Sequence, residues 1–315
     1  MIRIGTSGWS YDHWTGVLYP PRTPPGRRLA VYAAEFDTVE LNASFYRWPR
    51  DSTFAGWRQR LPDGFTMSVK AHRGLTHFRR LTGPEPWVER FRRCWDALGD
   101  RAEALLVQLH PDFERGQHDG LERLDHFLTV MPDHIPVAVE IRHPSWDAPE
   151  VFRLLERHGA GYVVMSGAGL RCIPRATGRL VYIRLHGPDQ HSRYHGSYPE
   201  HELRRWADRI RSWQDEGRDV DVYFNNDLGG HAVRNARTLR RLLGDDRATV
   251  VPGEKRVSEV GRPADGGSAD RVPDADRVPD ADRLRRSGRG DHRGRRGAAG
   301  CGPAGPGDQH RPPQQ

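Results

Sequence analysis

The sequence predicts a (β/α)8 TIM barrel, and three observations carry that prediction. Short β-rich runs recur eight times in the first 250 or so residues, most are separated by a segment with helical spacing, and almost every run ends in polar or charged residues. Strand–helix alternation implies parallel strands. Eight such units in roughly 250 residues match a closed barrel, in which function collects at the C-terminal ends of the strands. The competing architecture is an open, doubly wound sheet. It lacks support at the first turn, where "GTSGWS" (5–10) does not have the GxGxxG spacing of a dinucleotide fold.

Strand one is IRIGTS (2–7), and the tight turn after it can face backbone N–H groups toward an anion. Ser7 misses the GxSxG elbow that a nucleophilic serine needs. Strand two, TVELNAS (38–44), puts Glu40 and Asn42 on one face, with Tyr46 just beyond. Strand three, FTMSVKA (65–71), supplies Lys70, followed by His72. Residues 86–99 place Trp87, Phe91, Trp95 and Leu98 at helical intervals, with Cys94 among them as a packing residue. Strand four, ALLVQLH (104–110), ends in Gln108 and His110. Strand five, VAVEIRH (137–143), is an apolar run interrupted by Glu140, Arg142 and His143, with Trp146 after them. Strand six is GYVVMS (161–166), and the segment that follows it, "GAGLRCIPRATGR", has no helical spacing. Strand seven, LVYIRLHG (180–187), brings Arg184 and His186. The next stretch, "GPDQHSRYHGSYP" (187–199), contains Tyr194 and reads as a lid. Residues 199–216 open with Pro199 and Glu200 and place Leu203, Trp206, Ile210 and Trp213 on one helical face. Strand eight, VDVYFNND (220–227), ends in Asn225, Asn226 and Asp227.

A charge turned toward the apolar helix layer would cost free energy, so this ring of charges should look inward and upward into one pocket. The other ends of the strands show no such concentration. Glu40, Lys70, Glu140 and His186 are the candidate acid–base groups. The candidate substrate contacts are Thr6, Ser7, Trp9, Asn42, Tyr46, Gln108, Arg142, Trp146, Arg184, Tyr194, Asn225 and Asn226, the arginines suiting a phosphate or carboxylate. The alternative for the carboxylates is purely structural pairing, Glu140 with Arg184 or Glu40 with Lys70. Trp9, Tyr46, Trp48 and Trp146 either stack on a sugar or base, or seal the barrel mouth. His13, His77 and His118 read as loop-surface residues.

No metal or other cofactor is expected. Glu40, Glu140, His186 and Asp227, with His231, form the alternative divalent-metal set, but no HxH or HExxH motif is present and Lys70, Arg142 and Arg184 share the pocket. Lysine itself is rare: of 49 basic residues only Lys70 and Lys255 are lysines. Retaining lysine at the end of strand three points to proton transfer or Schiff-base chemistry that arginine does not perform. The alternative is steric, with Lys70 paired to Glu40 or Glu140.

From residue 253 on, 13 Lys and Arg face 10 Asp and Glu and large apolar residues almost vanish, so 1–250 is expected to be the barrel and 251–315 a disordered low-complexity tail. Of the net charge of +7, the tail carries +3 and the body +4, a weak nucleic-acid signature. Cys94, Cys172 and Cys301 form no disulfide framework, and no stretch is apolar and long enough to cross a bilayer. A cytoplasmic monomer with a small anionic partner and no membrane is the expectation.

Six motifs, "IGTSGWSYDHWTGVLYP", "FDTVELNASFYRWP", "FTMSVKAHRGLTH", "VAVEIRHPSW", "YIRLHGP" and "YFNND", stand in an order that resembles the YecE-like family, domain of unknown function 72, over residues 1 to about 245. The resemblance implies a TIM barrel without assigning an activity. Members often carry an Asp at the end of strand six, where this chain reads Met165 and Ser166. The residues themselves point to hydrolase, lyase or isomerase chemistry on a small phosphate- or carboxylate-bearing molecule. The alternatives are a divalent-metal-dependent hydrolase or isomerase on the same barrel, and a non-catalytic nucleic-acid-associated binding barrel. A deep pocket favours the enzyme; a surface basic stripe favours the binder.

Overall fold

The computed structural model describes residues 1–167, 169–189 and 195–245. Tyr194 and the expected tail, 251–315, lie outside the described residues. Eight strands form one sheet: β1 (Ile2–Thr6), β2 (Thr38–Leu41), β3 (Thr66–Lys70), β4 (Ala102–Gln108), β5 (Val137–Glu140), β6 (Gly161–Ser166), β7 (Leu180–Leu185) and β8 (Asp219–Phe224). Their order is β1-β8-β7-β6-β5-β4-β3-β2, and every pairing is parallel. The fold is the expected TIM barrel.

The seam between β1 and β2 closes by side-chain chemistry as much as by ladder. A single parallel bridge joins Ser7 to Glu40, and the Gly8 amide donates to the Glu40 carbonyl over 2.8 Å. Below it, the Tyr32 hydroxyl accepts from the Thr6 amide at 2.9 Å and donates to the Thr38 carbonyl at 3.0 Å, linking the two strands where no direct bond does. Gly5 makes this approach possible, because a Cβ there would lie 2.2 Å from the Thr38 carbonyl oxygen.

Among the described residues eight α-helices surround the strands: α1 (Pro25–Glu35), α2 (Ala43–Tyr46), α3 (Asp51–Arg60), α4 (Glu85–Leu98), α5 (Gly120–Val130), α6 (Pro149–Arg157), α7 (Glu200–Asp215) and α8 (His231–Leu242). The spacing expected for 86–99 is realised in α4, which buries Phe91, Trp95 and Leu98, with Trp87 half-buried and stacked on His72. In α7 the whole expected face, Leu203, Trp206, Ile210 and Trp213, is buried. Among the described residues no helix joins β6 to β7. Several strands stop earlier than their apolar pattern. The pattern of strand two runs to 44, but Asn42 turns into helical geometry and α2 begins. Ser44 Oγ then lies 3.0 Å from the Leu41 carbonyl and 2.6 Å from that of Lys70, so its single O–H ties the ends of β2 and β3 together, with the shorter contact to Lys70.

Inside the strands, Ala104, Leu106, Ala138, Val163, Met165, Tyr182 and Tyr223 fill the middle of the lumen. Met165, at the end of strand six, belongs to this apolar layer. Below it, Arg3 reaches Glu103 at 3.0 Å and Asp221 at 3.1 Å. The expectation that polar chemistry concentrates at one end of the strands alone is therefore corrected. A smaller charged cluster occupies the other end, and Asp221 was hidden in sequence inside the apolar run of β8.

Candidate active site

Period-two alternation sends Ser7, Glu40, Lys70, Gln108, Glu140 and Arg184 to the lumen side of their strands. Hydrogen bonds that span the lumen join them. Glu40 on β2 receives hydrogen bonds from Tyr182 at 2.8 Å and Arg184 Nε at 2.9 Å, both on β7, which is not a neighbour of β2. Arg184 also donates from Nη2 to the second Glu40 oxygen at 2.7 Å and from Nη1 to Glu140 at 2.5 Å. One guanidinium thus clamps two carboxylates from two strands, a task its planar fork suits and an ammonium does not.

The remaining lone pairs are taken as well. The Ser7 hydroxyl donates to Glu40, and the Asn42 amide donates to Ser7. Gln108 Nε2 donates to Glu140 at 2.6 Å, and Arg142 bonds the same oxygen. Both carboxylates and Arg184 are fully buried. Burial pushes the Glu140 carboxyl up, but Arg142 and Arg184 outweigh it and hold the group well below the usual carboxylate range. For His186, burial and then Arg184 and Arg142 hold the imidazole well below its ordinary value. That neutral ring has Nδ1 3.1 Å from the Asn225 amide and Nε2 3.5 Å from Arg142.

Lys70 is the exception in this network. Its side chain is nearly buried, at 8% exposure, yet among the described residues its amine has no hydrogen bond or ion pair. It rests 4.3 Å from the centre of the Phe45 ring. Pairing with Glu40 or Glu140 is not what the structure shows, because the arginines occupy both. Burial, with Arg184 next, lowers the amine's pKa to about 7, against the smaller pull of Glu140 and Glu40.

His77 was expected on the loop surface and is instead half-buried beside Lys70. It packs 4.8 Å from Phe45 and 4.9 Å from His110, and burial, then His110 and Lys70, lowers its pKa to about 3. A π-helical turn, Gly74–Phe78, sets that position, and no periodicity in sequence announces such a turn. Tyr182, the third donor to Glu40, was also missed, although its spacing two residues before Arg184 on one face of β7 could have found it.

Other expected contacts serve the frame. Thr6 belongs to the seam, and its hydroxyl donates to the Gly8 carbonyl at 2.7 Å. Trp9 packs edge-on against Trp57 and Trp146 against Phe113, both buried, so these tryptophans seal the mouth and do not present a face for stacking. Tyr46 is half-buried beneath the Arg73 guanidinium. Asn226 donates to Gly196 and Asn235, both at 2.9 Å, and so anchors α8. His143 caps the turn at Ser145. Asp227 lies near His13, 3.7 Å away, and is not gathered with Glu40, Glu140 and His186. Among the described residues no three His, Cys, Asp or Glu side chains are grouped to hold a metal ion. Beside the mouth, His77 also lines a surface cleft of about 650 Å³, together with Phe78, Arg79, Arg80, His118 and Arg123.

Comparison with known proteins agrees with this architecture. A family model described as protein of unknown function DUF72 matches residues 3–259. The UPF0759 protein YunF of Bacillus subtilis is 29% identical over 284 residues, which cover 80% of this chain and 98% of YunF. A crystal structure of a DUF72 family protein from Thermotoga maritima is similar with a TM-score of 0.69 at 29% identity, over 77% of this chain and 99% of that one. A DUF72 family protein from Enterococcus faecalis, at 22% identity and a TM-score of 0.66, covers 77% of this chain and 95% of its own, and shares the fold.

Proposed function

This chain belongs to the DUF72 family, and we propose that it is an enzyme acting by metal-independent acid–base chemistry on a small anionic substrate at the C-terminal ends of the strands. The observation that carries this reading is Lys70. An amine with a pKa of about 7 is divided between its charged and neutral forms at neutral pH, so it can take a proton from a substrate and return it. Glu40 and Glu140 enter as the frame that holds Arg184 and Arg142, since their oxygens already accept hydrogen bonds. His186, Asn225 and Gln108 orient the substrate around Lys70. Arg142 and the basic cleft supply the anion's partners, and the same cations at the strand ends oppose a divalent metal. Hydrolase, lyase or isomerase chemistry all suit a single tuned base.

A second reading, a non-catalytic barrel that holds nucleic acid, has one observation in its favour: Phe78 is 72% exposed beside the arginines of the cleft. Steeply salt-dependent binding of oligonucleotides without turnover would select it.

The test of the first reading uses the chain's own lysine poverty. With 13C at lysine Cε, Lys70 and Lys255 give two resonances. One is expected to titrate near pH 7 and the other near the ordinary lysine value of about 10.4. Two ordinary titrations overturn the proposal. Phosphate should raise the melting temperature by mass action, with or without a chelator; stoichiometric metal in the native protein would restore the metal-dependent alternative.

A further inference from the structure

We propose that the substrate of this site is an aldehyde or ketone that also carries a phosphate or carboxylate, that Lys70 attacks its carbonyl carbon to form an imine, and that Arg79, Arg80 and Arg123 hold its anionic end. This rests on the acid–base reading of Lys70 and narrows it to a substrate class.

Geometry supports the nucleophile first. A proton shuttle works well from inside a hydrogen-bond chain, whereas a nucleophile needs its lone pair unengaged. Lys70 is the second case: more than nine-tenths buried, without a hydrogen bond or ion pair among the described residues, and walled by the ring of Phe45. The carboxylates that would ordinarily claim it are clamped by Arg184 and Arg142. Those clamps leave the amine beside positive charge, which favours its neutral form. Residue choice agrees, since a chain with 49 basic residues keeps lysine at only one position before the tail.

The cleft supports the anionic end. His77 is the wall it shares with the Lys70 site, because the ring of His77 packs on the same Phe45 that lies beneath the amine. Arg79, Arg80 and Arg123 line it, and among the described residues none of the three makes an ion pair. Two of its lining residues have non-glycine left-handed backbone, Arg80 at φ 46° and His118 at φ 54°, and each is followed by a second such residue outside the lining, Leu81 at φ 65° and Asp119 at φ 52°. Backbone held in this way aims the cleft side chains at the cost of local strain.

The chemistry closes without an oxidant or reductant. The neutral Nζ attacks the carbonyl carbon, a C–N bond forms, and the carbonyl π pair moves to oxygen, which takes up a proton. The resulting hydroxyl is protonated and leaves as water, the nitrogen gives up both of its protons to solvent, balancing the two taken up by oxygen, and C=N remains. One amine and one carbonyl give one imine and one water. Once protonated, the imine draws electrons from the adjacent carbon, which is what an isomerase or lyase acting there requires.

The full chain is treated with glyceraldehyde 3-phosphate and cyanoborohydride at pH 7.5, in parallel with uncharged glyceraldehyde, and the products are mapped by peptide mass spectrometry. Lys70 is expected to be trapped at least about tenfold faster than Lys255, because its neutral fraction is far larger at this pH. The phosphorylated aldehyde should react faster at Lys70 than the uncharged one, and an Arg79→Ser, Arg123→Ser double variant should lose that preference. Equal trapping at Lys70 and Lys255 overturns the imine. Equal rates with the two aldehydes overturn the anionic end. If Lys70 is not trapped but still titrates near pH 7 by NMR, the imine fails while the acid–base reading stands; an ordinary titration removes both. The trapping uses the unsubstituted chain, so its outcome does not depend on a Lys70 variant folding.

Discussion

The two ends of the barrel lumen carry opposite imbalances of charge. At the upper end, Glu40 and Glu140 face Arg142, Arg184 and Lys70, one cation in excess. At the lower end, Arg3 faces Glu103 and Asp221, one carboxylate in excess. In each case the group left over yields its charge. Burial and Arg184 bring Lys70 down to about 7. Burial and Glu103 push Asp221 up to about 8, and its Oδ2 has no hydrogen-bond partner. Glu140 and Arg184 are just as buried and keep their charges, because each has several charged partners. Burial alone therefore does not decide ionisation in this lumen; the count of partners does. The upper imbalance lies at the strand ends where barrel enzymes do their chemistry. The lower one sits under an apolar layer and reads as a structural feature.

The comparison breaks most visibly at its largest interaction. Arg184→Leu should cost roughly 3–5 kcal/mol in urea denaturation, because it strands two buried carboxylates at once. Arg3→Leu should cost clearly less, since Asp221 and Glu103 can take up protons when their cation is lost. Equal losses would show that the two ends are not held by different means.

Lys70→Met should have the next largest effect. The folded pKa of about 7 lies below that of the unfolded chain, so between about pH 7 and 10.4 the unfolded state binds more protons and the unsubstituted protein gains stability as pH rises. The variant should be more stable by roughly 2 kcal/mol at pH 6, and that advantage should shrink by pH 10. A constant difference across this range contradicts a buried, unpaired amine.

Asp221→Asn gives the smallest change and the opposite slope. The folded pKa of about 8 lies above the unfolded value, so the folded state holds an extra proton between about pH 4 and 8 and loses stability as pH rises through that window. The amide should match the parent near pH 4 and exceed it by roughly 1 kcal/mol at pH 9, the gain being limited because Arg3 gives up an anionic partner. Slopes of the same sign for the two variants would end the comparison.

Much of this was legible in sequence where a local period carries the information. The eight strands could be placed because β-rich runs and the faces of α4 and α7 are properties of neighbouring residues. That Glu40, Glu140 and Arg184 turn inward followed from a period of two and the cost of a charge against apolar helices. The pairings were only half legible. Glu140 with Arg184 was among the alternatives and is present, whereas Glu40 with Lys70 is replaced by Glu40 with Arg184.

By itself, then, the sequence determined the fold class, the inward ring of polar residues, and the oddity of one lysine among arginines. Only the tertiary structure decided which cation each carboxylate keeps, because Arg184 reaches β2 and β5 from β7 across the lumen, a choice between residues up to 144 positions apart. It also brought His77 to Lys70 through a π-helical turn and hid Asp221 beneath the apolar layer. The physical reason is range. Alternation and amphipathic spacing act over a few residues, while desolvation and charge pairing depend on every group that the closed barrel brings within a few ångströms.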